Sequence, residues 1–438
     1  MGVKNKMGDY KFDTNKVRGG YNPKEHNNAV SVPIYATASF DVGEAERFDR
    51  LASLSEEGYI YSRLSNPTVN VLENRISILD DGVAAVGVAS GMAAITYALL
   101  AVAEGGGRIL TTHQLYGGTV DALKKLYPKF GIQIDKIDSD SDIEEFRKAI
   151  KKDTKAIFIE TISNPNAVIL DIELIAKIAH ENDIPLIVDN TFATPYLFNP
   201  IKYGADVVIY SATKALSGHG NVIAGVIVDS GKFNWANGKF PQFTQLHFTL
   251  KDLEGNERSY IDAFKNSAFA GKIRLDYLTY FGAVLSPFDA YLILIGLETL
   301  SERVQKQISN TQKIIDYLKT EQAVSWISYP TIETSPYRSL AEKYFTKGAG
   351  SIFTFGFKGN TEQIYKLINS VKLFSYQANV GDARSLIVNV AKTTHGELTE
   401  EQLKLAKIPQ ETIRISIGLE DADDLIHDLK QAFREALK

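Results

Sequence analysis

Two residues 25 apart carry side chains that could do chemistry together: Asp189, closing the apolar run LIVD, and Lys214, closing YSATK. YSATK admits two readings. A tyrosine four residues before a lysine, here Tyr210 and Lys214, suits a short-chain-type dehydrogenase, in which the lysine lowers the pKa of a tyrosine acid. The same lysine, with Ser211 and Thr213 beside it, suits an imine to a carbonyl cofactor whose phosphate the hydroxyls grip. The dehydrogenase needs a G-x-G-x-x-G turn after its first strand to hold a pyrophosphate. GVASG, GGG and SGHGNVIAG supply no such turn.

The imine reading needs several partners, and the chain has them. A carboxylate at a strand end, Asp189, could keep a pyridine nitrogen protonated. The positive ring then accepts electrons from a substrate carbanion, which is the chemistry of pyridoxal phosphate. A lysine made less basic by burial and nearby positive charge can be the imine nitrogen and then a general base. Ala89-Ser90-Gly91-Met92 joins a strand pattern to a helix pattern, so its N–H groups and the helix N-terminus favour an anion. Ser211 and Thr213 complete a phosphate cup from the other side. Taken singly, Asp189 and Ser90 read as helix caps, Tyr116 as an ordinary tyrosine and Arg414 as an exposed strand arginine. Their combination points to a cofactor.

Those residues must be held by regular elements. Apolar runs at Ala85–Ala89, Arg108–Thr112, Ile132–Ile137, Ala156–Glu160, Leu186–Asp189, Val207–Tyr210 and Val222–Val228 read as strands. Amphipathic stretches at Met92–Ala103, Thr119–Phe130, Ile143–Lys151 and Ile172–Glu181 read as helices between them. Strands alternating with helices predict an α/β fold with a mainly parallel sheet covered on both faces. Ligands of such sheets lie at the strand carboxyl ends, where Asp189 and Lys214 fall. Residues 1–65 read as an irregular arm, 66–285 as a cofactor-binding domain and 286–438 as a smaller α+β domain. In the last, a long helical pattern follows Pro287, strands are expected at Ser351–Phe357 and Thr412–Ile417, and a closing helix starts from Asp421. Residues 230–265, polar and rich in Gly, Asn and aromatics, read as an inserted loop. Such a loop should either cover the active-site entrance and favour a small thiol, or serve packing between subunits.

The 438 residues carry 48 basic and 53 acidic side chains, a net charge of −5, so no nucleic-acid surface is expected. The polar start holds no signal-peptide core, and no apolar run reaches the roughly 18 residues of a membrane span. The chain has no cysteine, which excludes disulfides, thiolate metal sites and cysteine nucleophiles. The seven histidines show no metal-ligand spacing, so no metal is expected. A cytoplasmic enzyme follows as the expectation.

The stretches YSRLSNPTVNVLE, ASGMAAI, LYGGTVDAL, ETISNP, IVDNTFATP, YSATKALSGHG, SPFDAYLILIGLETL, NVGDARSL and IRISIGLED resemble the pyridoxal-phosphate enzymes of cysteine and methionine metabolism. The resemblance runs from about Val30 to the C-terminus. It implies the fold type I architecture, with a mainly parallel seven-stranded sheet. It also implies roles. Lys214 would bind the cofactor covalently, and Asp189 would face the pyridine nitrogen. Asn164 would lie near the ring hydroxyl, and Tyr116 would stack on the ring and assist at the leaving group. Ser90, Gly91, Met92, Ser211 and Thr213 would hold the phosphate. Tyr61 and Arg63 would reach the phosphate of a neighbouring subunit, with Tyr61 also near the substrate. Arg414 would hold the substrate carboxylate, and Asn379 would line the same pocket.

Within the family, the long insert and the SPF…LETL segment are most similar to the O-acetylhomoserine sulfhydrylases. That branch implies replacement of acetate at the γ-carbon by sulfide or methanethiol, in a homotetramer built as a dimer of dimers. Methionine γ-lyase and cystathionine γ-synthase are the alternatives. In the γ-lyases a cysteine often follows LYG, where this chain has Gly118.

Overall fold

The computed structural model describes residues 10–140, 143–393, 396 and 399–438. The first nine residues of the arm lie outside them. Seven strands form the large sheet: β1 (Ala84–Val88), β2 (Gly107–Thr112), β3 (Ile132–Ile137), β4 (Thr154–Glu160), β5 (Leu186–Asp189), β6 (Val207–Ser211) and β7 (Gly225–Asp229). Their order is β1-β7-β6-β5-β4-β2-β3. The β2–β6 pairings are parallel, while β7 runs antiparallel to both β1 and β6. This is the mainly parallel α/β sheet that the alternating apolar and amphipathic runs predict.

Side chains alternate across a strand, so each strand feeds two cores. Leu186, Val188, Val208 and Tyr210 join the core on one face. Ile187, Val207, Ile209 and Phe158 join the core on the other, against the helix Gly91–Val102. The same alternation aims Glu160, Asp189 and Ser211 at the second face and Tyr210 at the first.

The arm is more ordered than its glycines and prolines suggest. It holds helices Phe12–Arg18 and Ala45–Ala52. Lys16, buried, donates to Ser301 Oγ (2.5 Å) and Glu302 Oε1 (2.6 Å), which fastens the first helix to the body of its own chain. The long helical pattern after Pro287 breaks at Thr299 into Pro287–Glu298 and Leu300–Leu318. The second helix leads to a four-stranded antiparallel sheet, ordered β10 (Val324–Ser328), β11 (Ile352–Phe357), β13 (Thr412–Ser416) and β12 (Leu386–Asn389). The closing helix is Ala422–Ala436, capped by Asp421.

The insert does not cover the entrance formed by its own chain. Because β7 is antiparallel, Asp229 lies opposite Val207, at the amino end of β6. Residues 230–265 therefore leave the sheet at the end remote from Lys214. They are also structured, with a short helix at Pro241–Thr244 and a hairpin of β8 (His247–Lys251) and β9 (Glu257–Arg258). Gln242 Nε2 donates to Ala101 O (2.9 Å) and Asn237 Nδ2 to Asp183 O (3.0 Å), both at that remote end. The aromatics drive this placement: Trp235 stacks between Phe243 (4.4 Å) and Phe269 (5.1 Å) in the second core. No helix among the described residues is long and apolar enough to cross a membrane.

Candidate active site

The carboxyl ends of β4, β5 and β6 open onto a cavity of about 330 Å³. Every residue expected at the site lines it except Tyr61 and Arg63. Those two lie in the arm, exposed; Arg63 stacks on the Tyr61 ring at 5.5 Å and donates to Thr279 O at 3.1 Å.

Ser90 caps the helix Gly91–Val102, its hydroxyl accepting the Ala93 N–H (3.1 Å). Gly91 has no room for a side chain, since a Cβ there would stand 2.6 Å from Ser211 Cβ. That close approach brings the start of the helix beside Ser211 on the cavity wall, an arrangement suited to a phosphate. The Thr213 hydroxyl accepts the Ala224 N–H (2.9 Å), which ties the lysine turn to the start of β7.

Lys214 Nζ donates to Asn379 Oδ1 at 2.7 Å. Burial, then the Arg414 charge, pull its pKa down to about 8. Arg414, on β13 and buried, donates from Nη1 to Asn164 Oδ1 (3.0 Å) and from Nη2 to Asn379 O (3.2 Å). Burial lowers its pKa to about 10, so it stays charged at neutral pH. Asp189 accepts the Thr191 N–H (3.0 Å), and burial raises its pKa. Tyr116, half exposed, stands at the start of the helix Gly117–Lys125.

Glu160 and Thr191 also line the cavity, and sequence reasoning passed over both although ETISNP and IVDNTF contain them. Thr191 Oγ1 accepts the Ser211 N–H (2.8 Å) and so links the ends of β5 and β6. Glu160 sits opposite Asp189 in the β4–β5 register.

Tyr210 is no part of this site. Its hydroxyl is buried on the other face of the sheet, donating to Asp80 Oδ1 (2.8 Å) and accepting from Asn190 Nδ2 (2.9 Å). Lys214 turns toward Asn379 instead, so the tyrosine–lysine pair of a dehydrogenase does not form.

Residues 13–434 match the family described as Cys/Met metabolism PLP-dependent enzyme. The chain belongs to that family. Among relatives of this PLP-dependent enzyme, the O-acetyl-L-homoserine sulfhydrylase of Leptospira meyeri is 40% identical over 430 residues, 97% of each chain. The homocysteine synthase of Schizosaccharomyces pombe is 40% identical over 428 residues, 97% of this chain and 98% of that one. The crystal structure of a putative O-acetylhomoserine (thiol)-lyase from Campylobacter jejuni superposes with a TM-score of 0.92 at 36% identity, over 97% of this chain and 100% of the other. It contains N′-pyridoxyl-lysine-5′-monophosphate.

The cavity fits pyridoxal phosphate on its own chemistry. A helix start could take the phosphate, a carboxylate the ring nitrogen, an amide the ring oxygen and a lysine of lowered basicity the carbonyl carbon.

Proposed function

We propose that this enzyme catalyses a γ-replacement, converting O-acetyl-L-homoserine and sulfide to L-homocysteine and acetate. The γ C–O bond breaks with its electron pair leaving on acetate, and a C–S bond forms as the sulfide gives up a proton. The observation that carries the reading is the convergence of Lys214, Asp189, Asn164 and Arg414 on one cavity beside a helix N-terminus. The names of relatives about 40% identical over nearly their whole length support the substrate.

Bound pyridoxal phosphate supplies an electron sink for charge developing on the substrate. Around it, Lys214 is the base at the α-carbon; its burial beside Arg414 lowers its basicity, the direction that suits proton transfer near neutral pH. Asp189 holds a proton on the ring nitrogen. Asn164 spends its Oδ1 on Arg414, which leaves its Nδ2 to donate to the ring oxygen. Arg414 takes the substrate carboxylate and fixes the α C–H bond near perpendicular to the ring. Tyr116 covers the ring and assists at the leaving group. Ser90, Gly91, Met92, Ser211 and Thr213 hold the phosphate, and Asn379 keeps Lys214 in place.

The same reading gives a cytoplasmic homo-oligomer, a dimer of dimers, in which Tyr61 and Arg63 serve the neighbouring phosphate site. Their exposure, away from their own chain's cavity, supports this. It also divides the chain into an arm (1–65), a cofactor domain (66–285) and a C-terminal domain (286–438).

The test is a panel of O-acetyl-, O-succinyl- and O-phosphohomoserine, each with sulfide, methanethiol or cysteine, with products identified by mass. Homocysteine and acetate should form fastest. Faster cystathionine formation from cysteine, or an oxo acid and ammonia released without a thiol, would assign the chain to a synthase or a lyase instead.

A further inference from the structure

Among the described residues, Glu160 is the one carboxylate lining the cavity besides Asp189. It is 7% exposed, and its two oxygens have different partners. Oε1 accepts the backbone N–H of Tyr116 (2.6 Å), and Oε2 accepts the backbone N–H of Asn164 (3.1 Å). These are the residues expected over the face of the cofactor ring and at its ring oxygen. Asn164 in turn receives Arg414 through its side-chain oxygen (3.0 Å). A single side chain thus joins the start of the helix at Gly117, the loop after β4 and, through Asn164, the arginine on β13.

This is a costly place for a negative charge. Glu160 lies beside Asp189 on the adjacent strand, and burial, then the Asp189 charge, raise its pKa. A loop that only needed closing could be held by a neutral side chain without that cost. Only a carboxylate offers two acceptor oxygens and no donor, which two backbone N–H groups on separate segments demand.

Resting on the cofactor site above, we infer that Glu160 is a positioning residue that sets the Tyr116 ring, over the cofactor face, relative to the Asn164 amide at the ring oxygen. It does not touch the reacting atoms. Glu160→Gln keeps the shape but turns an N–H donor toward one of the two backbone N–H groups, so Tyr116 or Asn164 must shift. Glu160→Asp keeps the charge but falls short of both.

The experiment compares wild type, Glu160→Gln and Glu160→Asp as purified holoenzymes. The readouts are the visible circular dichroism of the bound cofactor, pyridoxal phosphate affinity of the stripped protein, melting temperature and steady-state kinetics. Both variants should show an altered cofactor dichroism and weaker cofactor binding. Their kcat should fall by about 100-fold, the scale of a 1 Å misplacement, with a smaller change in KM. Wild-type dichroism and kcat in both variants, or a lowered melting temperature as the only change, would overturn the inference. So would recovery in Glu160→Asp alone, which would assign Glu160 an electrostatic role toward Asp189. The dichroism is read without substrate, so failure of the sulfide reaction and failure of this inference remain distinguishable. A wild-type protein that binds no cofactor would instead refute the site itself.

Discussion

Arg414 Nη1 donates to Asn164 Oδ1 at 3.0 Å, tying β13 of the small sheet to the loop after β4 of the large one. The guanidinium is thereby held in one orientation before any carboxylate arrives. Arg414→Lys should keep the charge and lose the fork. A charge-assisted hydrogen bond contributes about 1.5–3 kcal/mol, so KM for O-acetylhomoserine should rise by about 10- to 100-fold while kcat changes less. Steady-state kinetics check this; an unchanged KM would remove Arg414 from substrate binding.

Lys214 gives a pH prediction. Its pKa is lowered from 10.5 to about 8 by burial and Arg414, so in the cofactor-free protein the amine becomes nucleophilic as pH rises through about 8. Cofactor uptake should follow that midpoint. Arg414→Met removes one of the two causes and should move the midpoint upward. The stability sign follows from proton binding: between pH 8 and 10.5 the unfolded chain holds the Lys214 proton more tightly, so this group's contribution rises with pH across that window. Lys214→Met should therefore raise the melting temperature of the cofactor-free protein at pH 7 and lose that advantage by pH 10.5.

The insert should act on stability. Trp235 is 5% exposed between Phe243 and Phe269, at the sheet end remote from Lys214. Trp235→Ala should cost about 3–5 kcal/mol by removing a buried aromatic. The ratio of sulfide to cysteine turnover should not change. A changed ratio with an unaltered melting temperature would return the insert to the entrance.

Much of the site is legible in the chain because its parts stand at strand ends, which short apolar runs mark well. LIVD ends on Asp189, the last residue of β5, and in YSATK Lys214 follows Ser211, the last residue of β6, by three. Glu160 was not legible, because its partners are backbone N–H groups of Tyr116 and Asn164, and those leave no mark in residue type. The polarity of β7 is not legible either, since a run such as GVIVD reads the same in both directions, and without it the sequence leaves both placements of the insert open. The break at Thr299 is preceded only by Gly296, three residues earlier, and one glycine inside a helical pattern does not by itself end it. VSWIS, the strand β10, is broken by Ser325 and Ser328, while LIVN, the strand β12, is as apolar as LIVD but stands without an alternating helix beside it to mark it.

Assembly has its own test. If Tyr61 and Arg63 complete a neighbour's phosphate site, Arg63→Ala and Lys214→Ala subunits should each be nearly inactive alone. Mixed under exchange, they should recover part of the activity, because one hybrid site holds both intact groups. No recovery in a mixture shown to exchange would count against shared sites.

The account stands on Lys214 as the residue that binds the cofactor. Borohydride reduction of the yellow holoenzyme followed by peptide mapping tests this directly. The pyridoxyl label should sit on Lys214, and Lys214→Ala should fold yet take up no label there and lose nearly all turnover. A label on any other lysine, or full turnover in Lys214→Ala, would contradict the account.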